Sequence, residues 1–291
     1  MKQISIIALF LIVVSCNNEK NTTENLSSNF SFASNSNNNH VFKNEFGIEA
    51  YYVGYFEASK YDDKKDVMYT NKITISIDSL TETICYGHSI VAGNMRPFKG
   101  AYSKNNDNTF QVTAKEPGDD KYDGTFVFVI NANSNKIIGK WNSNDKNLAV
   151  TEREYELERK TFEYNPDLEL PEYLTYEGLY GTYKETDTST TAESLTDDIY
   201  KFNASKVLLK SKDIENMYLA DLEVMRNAIY ARHGYSFKNR KMRFLFDHAV
   251  EWYMPISTNI TNDLTDIEKQ NIELLKRYEK HAVKYYDSFG R

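Results

Sequence analysis

The chain has 291 residues and a formal net charge of −7, with 35 Lys and Arg against 42 Asp and Glu. That modest negative charge argues against a nucleic-acid partner, and with only two cysteines, no disulfide or multi-cysteine metal site can be built once Cys16 is consumed by a lipid. Tyrosine and phenylalanine are abundant, at 22 and 16, so rings are expected to supply core and interface area.

At the start, Lys2 precedes an apolar run from Ile4 to Val14. That run is shorter than the roughly 17 to 25 residues of a membrane-spanning helix, and residues 1–15 read as a signal peptide. Val13-Val14-Ser15-Cys16 resembles a bacterial lipobox, which would place a lipid on Cys16 and hold the processed chain to a membrane, with the outer membrane of a bacterial cell envelope as the expected location. An ordinary signal peptide cut after Ser15 is the alternative. Residues 16–45 are dominated by Asn, Ser and Thr, a composition too poor in apolar surface to offset its ordering entropy, and read as a disordered tether.

Residues 46–162 carry a period of two, the spacing that puts alternate side chains on one face of a strand. Strands are expected at Ala50–Phe56, Lys72–Ile77, Thr83–His88, Met95–Tyr102, Phe110–Ala114, Thr125–Ile130, Ile137–Trp141 and Ala149–Leu157. Turn residues such as Asn105-Asn106-Asp107-Asn108 separate them, which suggests an antiparallel meander closed into a barrel or sandwich. Phe126 to Ile130 is almost continuously apolar and is expected to be a central strand. Cys85 is read as core filler. Asp119-Asp120-Lys121-Tyr122-Asp123-Gly124 resembles part of a calcium loop but lacks the closing Glu, so a solvated connection is the simpler reading. Gly87-His88 and Arg96 fall at strand ends, where a barrel mouth could form.

Residues 163–205 read as a linker with edge strands at Tyr173–Tyr183, and residues 206–291 as a small helical module, which makes the whole a multidomain α+β chain. Leu219, Leu222, Met225, Ile229 and Tyr230 recur at helical spacing, and Gly234 ends the run where a left-handed residue is needed. A second helix is expected at Asn239–Asp247, ended before Pro255. Thr265-Asp266-Ile267-Glu268 has the form of a capping box opening a third.

The stretch Tyr230-Ala231-Arg232-His233-Gly234-Tyr235 gathers reactive-looking residues, joined by Arg226, Asn227, Trp252 and Tyr253. One reading makes the cluster structural: a helix stop in which His233 bonds a carbonyl or carboxylate, and Tyr235 and Phe237 fold back on Trp252 or Tyr253. A second makes it a surface site, with arginines forking onto anions and rings supplying contact area. A hydrolase reading needs His233 in a cleft near Asp247 or Glu251, and a zinc site needs His233 and His248 to converge with Asp247 or Glu251. No Gly-x-Ser-x-Gly elbow, His-Glu-x-x-His pair or phosphate loop occurs, so neither a cofactor nor a metal is called for.

Leu222 to Gly234, LEVMRNAIYARHG, closely resembles the YARHG domain of bacterial secreted and lipid-anchored proteins. The similarity continues through Tyr235-Ser236-Phe237, Trp252-Tyr253-Met254-Pro255 and Leu264 to Ile272, over roughly 213–280. Where family members show an aromatic pair, this chain has Leu245-Phe246. The resemblance implies an extracytoplasmic module without established enzymatic activity. The resulting expectation is a non-catalytic envelope lipoprotein that binds an envelope protein or peptidoglycan. An envelope hydrolase with a site near His233 and a lipocalin-like carrier of a small apolar ligand are the alternatives.

Overall fold

The structure, a computed structural model, describes residues 46–172, 174, 184–186, 189–191 and 195–285. The expected leader, Cys16 and tether lie outside the described residues, as does all but Leu174 of the edge strands expected at Tyr173–Tyr183.

Eight antiparallel strands, β1 (Ala50–Tyr61), β2 (Thr70–Leu80), β3 (Ile84–Val91), β4 (Asn94–Lys104), β5 (Thr109–Lys115), β6 (Gly124–Asn131), β7 (Lys136–Ser143) and β8 (Val150–Lys160), follow one another around a closed barrel. The seam is the β1–β8 pair, in register from Tyr51 opposite Lys160 to Ala58 opposite Arg153, with register shifts before Tyr61 opposite Val150. Each of the eight expected strands is present. Closure leaves no edge strand exposed and requires only that one side chain in two be apolar.

Phe126 to Ile130 corrects the expectation of a central strand. Phe126, Phe128 and Ile130 point inward and are almost fully buried, but Val127 and Val129 are each 39% exposed. A closed barrel gives every strand one inner and one outer face, so an uninterrupted apolar run does not mark the middle of a sheet.

The barrel interior is filled by side chains. Phe126 lies 5.6 Å from Phe98, 6.2 Å from Tyr155 and 6.5 Å from Phe56, ring centre to ring centre. Ile73, Ile75, Ile77, Phe110, Val112 and Leu157 are fully buried around them. This packing overturns the lipocalin-like carrier, which needs an open interior. Cys85 is buried in the same core, and burial pushes its thiol up to about 12, so it is core filler.

The helical region comprises the single turn α1 (Ser211–Ile214), then α2 (Leu219–Arg232), α3 (Arg240–Ala249) and α4 (Asp266–Tyr285), with α4 packed against α2. A short two-stranded sheet, β9 (Lys184–Thr186) with β10 (Ser189–Thr191), precedes it. Barrel and helices belong to one compact unit.

The helices dock on the outside of the barrel. Strand β2 turns Ile73, Ile75 and Ile77 inward, yet the intervening Lys72, Thr74 and Ser76 are also buried. Lys72 Nζ donates to the carbonyls of Val250 and Tyr253, just beyond α3, at 3.2 and 2.9 Å. The Lys72 backbone N–H donates to the Asp247 carboxylate at 2.9 Å. Beside them Tyr51 and Val53 of β1 pack with Phe162, Met254 and Ile256. The turn between β3 and β4, with Ala92 and Gly93 both at positive φ, donates its Gly93 N–H to Ser236 Oγ at 3.0 Å.

Candidate functional site

The end of α2 is a Schellman motif. Gly234 sits at φ +70°, its N–H donates to the Ala231 carbonyl at 2.9 Å, and the Tyr235 N–H donates to Tyr230 at 3.1 Å. The apolar contact that accompanies such motifs is the Tyr230–Tyr235 ring pair, 5.9 Å apart. The Gly234 carbonyl then accepts from Ile256 and Ser257, and Ser236 N–H donates to Ser257, so the exiting chain is bound along residues 256–257. Tyr235 and Phe237 fold back as expected: Tyr253 Oη donates to the Tyr235 carbonyl at 2.7 Å, and the Phe237 ring lies 5.7 Å from that of Tyr253.

His233 is 2% exposed and pairs through Nε2 with Glu268 Oε2 at 2.8 Å. Glu268 is also the third helical residue of the capping box, accepting from the Thr265 N–H at 2.9 Å while its own N–H donates to Thr265 Oγ1. One carboxylate therefore both starts α4 and anchors the end of α2. Tyr164 lies flat on the imidazole, with ring centres 4.2 Å apart, and donates its hydroxyl to Glu268 Oε1. Burial alone would raise the Glu268 carboxyl, but hydrogen bonds from His233 and Thr265 outweigh it and hold the group below its ordinary value.

The other cluster residues have separate tasks. Arg226 reaches Glu279 of α4 at 2.6 Å with its guanidinium over Tyr230, and Asn227 Nδ2 donates back to the Glu223 carbonyl. Arg232, 3% exposed, donates through Nε to the Leu168 carbonyl and through Nη1 to Ser205 Oγ, with its guanidinium over the Trp252 ring. Trp252 Nε1 donates to the Glu169 carbonyl. The sequence cluster is thus divided among three contacts: α2 to α4, α2 to the 163–172 segment, and helices to barrel.

The hydrolase arrangement is not formed. Asp247 is held by the Lys72 backbone and His248 stacks on Tyr55 of the barrel, while His233 faces Glu268. No group of three His, Cys, Asp or Glu that could hold a metal ion occurs among the described residues.

Near the strand ends, Arg96 donates to Asp123 at 2.7 and 2.8 Å and also to Asp119. Asp123 further accepts from the Gly118 and Asp120 N–H groups, so the acidic loop closes around an arginine as a strand connection. His88 Nδ1 lies 2.8 Å from Asp78, and Ser76 Oγ donates to the other oxygen of that carboxylate at 2.5 Å. Because Ser76 donates to Asp78 and not to the imidazole, the trio lacks the serine-to-base bond of a hydrolase.

Sequence reasoning missed Tyr164, Ser205 and Lys72. Tyr164 and Ser205 lie in the stretch read as linker, and Lys72 alternates as a solvent-facing strand residue should. The one available signal was the aromatic preceding Asn165-Pro166.

One opening is prominent on the helical side. A cavity of about 380 Å³ lies between the 169–172 segment, the 199–204 segment and α2, floored by Ile199, Phe202, Met225 and Ala228 and reached by Arg232.

Taken together, these contacts define a filled barrel with a helical module docked on it, in which buried polar residues hold helices together. Residues 199–280 match the YARHG domain family model, so the C-terminal region is a YARHG domain, in keeping with a non-catalytic binding role. No curated protein and no solved structure matches the chain.

Proposed function

We propose that this protein is a non-catalytic binding protein of the bacterial cell envelope, tethered through a lipid on Cys16. Its YARHG domain captures a peptide segment of an envelope protein or of the cell wall. The observation that supports binding over catalysis is the state of the one imidazole–carboxylate pair in the domain. His233 and Glu268 are 2% and 0% exposed at their side chains, and both are already bonded. A general base must reach the proton it abstracts. The barrel presents the domain on a rigid support.

Full-length protein carrying an affinity tag, incubated with detergent-solubilised envelopes, tests this reading. Saturable recovery of a partner that untagged protein competes away, with His233→Gln as effective as wild type, is the expected result. Turnover of envelope material that His233→Gln abolishes would refute it. Loss of metabolic palmitate labelling in Cys16→Ser checks the anchor separately.

A further inference from the structure

The cavity beside α2 is lined by a buried cation as well as apolar side chains. Its floor is apolar: Ile199, Met225 and Ala228 are at most 3% exposed, and Phe202 lines the side. Arg232 lines the same space at 3% exposure. Two of its guanidinium nitrogens have partners, both of them neutral: the Leu168 carbonyl at 2.8 Å and Ser205 Oγ at 3.3 Å. No carboxylate lies within ion-pair distance of Arg232 among the described residues, and Nη2 carries no hydrogen bond there. Burial disfavours the charged guanidinium, and Glu169 and Glu268 offset this only at longer range, so its planar fork is left able to take a carboxylate directly.

We infer that this cavity is a receptor for the C-terminal end of a peptide, with the terminal carboxylate on Arg232 and an apolar last side chain against Met225, Ala228 and Phe202. The inference rests on the binding role proposed above and adds where the ligand sits and what chemistry it has. A volume of about 380 Å³ accommodates one or two residues of a peptide, not a folded partner. Exposed Glu169 and Glu172 stand at the rim and oppose an anion. They are screened by water, and the attraction comes from the charge-assisted hydrogen bonds that the guanidinium fork makes to a carboxylate at contact distance. The same rim carboxylates favour a basic residue further up the bound peptide.

Full-length protein is titrated with N-acetyl-alanyl-phenylalanine as the free acid and, separately, as the C-terminal amide. Trp252 emission is followed, because the Arg232 guanidinium lies 5.9 Å from the Trp252 ring centre. The free acid should give a saturable change and the amide should bind about tenfold more weakly, equivalent to about 1.4 kcal/mol. Ala228→Leu, which fills the cavity one turn before Arg232, should abolish the response while far-UV circular dichroism stays unchanged. Glu172→Gln at the exposed rim should retain binding or strengthen it. Equal affinity for acid and amide, or no response to either by folded protein, overturns the inference. If the dipeptides fail while envelope capture persists, only the pocket assignment falls; if the acid binds and no envelope partner is captured, the broader reading falls.

Discussion

Replacing Gly234 by alanine separates two costs that the fold places at one position. The residue sits at φ +70°, where an L side chain costs about 1–2 kcal/mol. A Cβ there would also lie 2.4 Å from Ile256 Cγ1, 2.9 Å from Phe162 Cε2 and 3.0 Å from the Met254 carbonyl. Ile256, Phe162 and Met254 pack on Tyr51 and Val53 of the barrel, so they cannot retreat without opening that interface. Overpacking of this kind costs about 1–3 kcal/mol, giving about 2–5 kcal/mol in total. Gly118 supplies the control: its φ is +86° and a Cβ there meets nothing within 4 Å, so Gly118→Ala carries the backbone cost alone. Equilibrium urea unfolding of the full chain, followed by far-UV circular dichroism, reads both variants. At an m-value of about 2 kcal/mol/M, Gly234→Ala should move the midpoint by about 1–2.5 M and Gly118→Ala by less than half as much. Equal shifts for the two glycines would mean that the packed helix stop is wrongly assigned.

Replacing His233 by alanine leaves Glu268 buried and short of a partner and should cost about 3–5 kcal/mol in the same urea assay, whereas a surface imidazole would cost almost nothing. The Glu268 carboxyl is held below its ordinary 4.5, so its contribution is present above that value and is lost as pH falls through the lowered one; Glu268→Gln should remove this acid-side loss from a stability–pH series. Asp247 has the opposite sign. Burial pushes its carboxyl up to about 7 from 3.8, so the folded state holds the proton more tightly, and stability declines between about pH 4 and 7. Asp247→Asn should flatten that decline while its amide oxygen keeps the bond from the Lys72 N–H. Lys72→Met strips the buried Tyr253 carbonyl of its donor at about 1–3 kcal/mol, while the Val250 carbonyl keeps the Tyr253 N–H, and hydrogen exchange should show α3 opening before the barrel.

The barrel was legible because its physics is local. Alternation along each strand and Asn- and Asp-rich turns between them determine eight strands wherever the sheet ends up, and the Thr265–Glu268 capping box and Gly234 are likewise signals within a few residues. The docking was not legible, since it depends on which outer face of the barrel the helices cover. Thr74 and Ser76 occupy positions that alternation assigns to solvent, yet both are fully buried on the strand that α3 packs against. Lys72 is the sharpest case. In isolation it is an ordinary exposed strand lysine, and burial on docking depresses its ammonium to about 8.

The same distinction explains why the YARHG motif looks like an active site in sequence. A small helical module with no disulfide must fix the end of one helix, the start of another and its seat on a neighbouring domain. Directional, charge-assisted bonds do this with few residues: Glu268 serves α4 and His233 together, and Arg232 gathers Leu168, Ser205 and Trp252. Buried bonds of this kind specify one arrangement of helices more sharply than apolar packing does. Arg232 also lines the cavity beside α2, with no hydrogen bond on Nη2 among the described residues, which is where a ligand would complete its bonding.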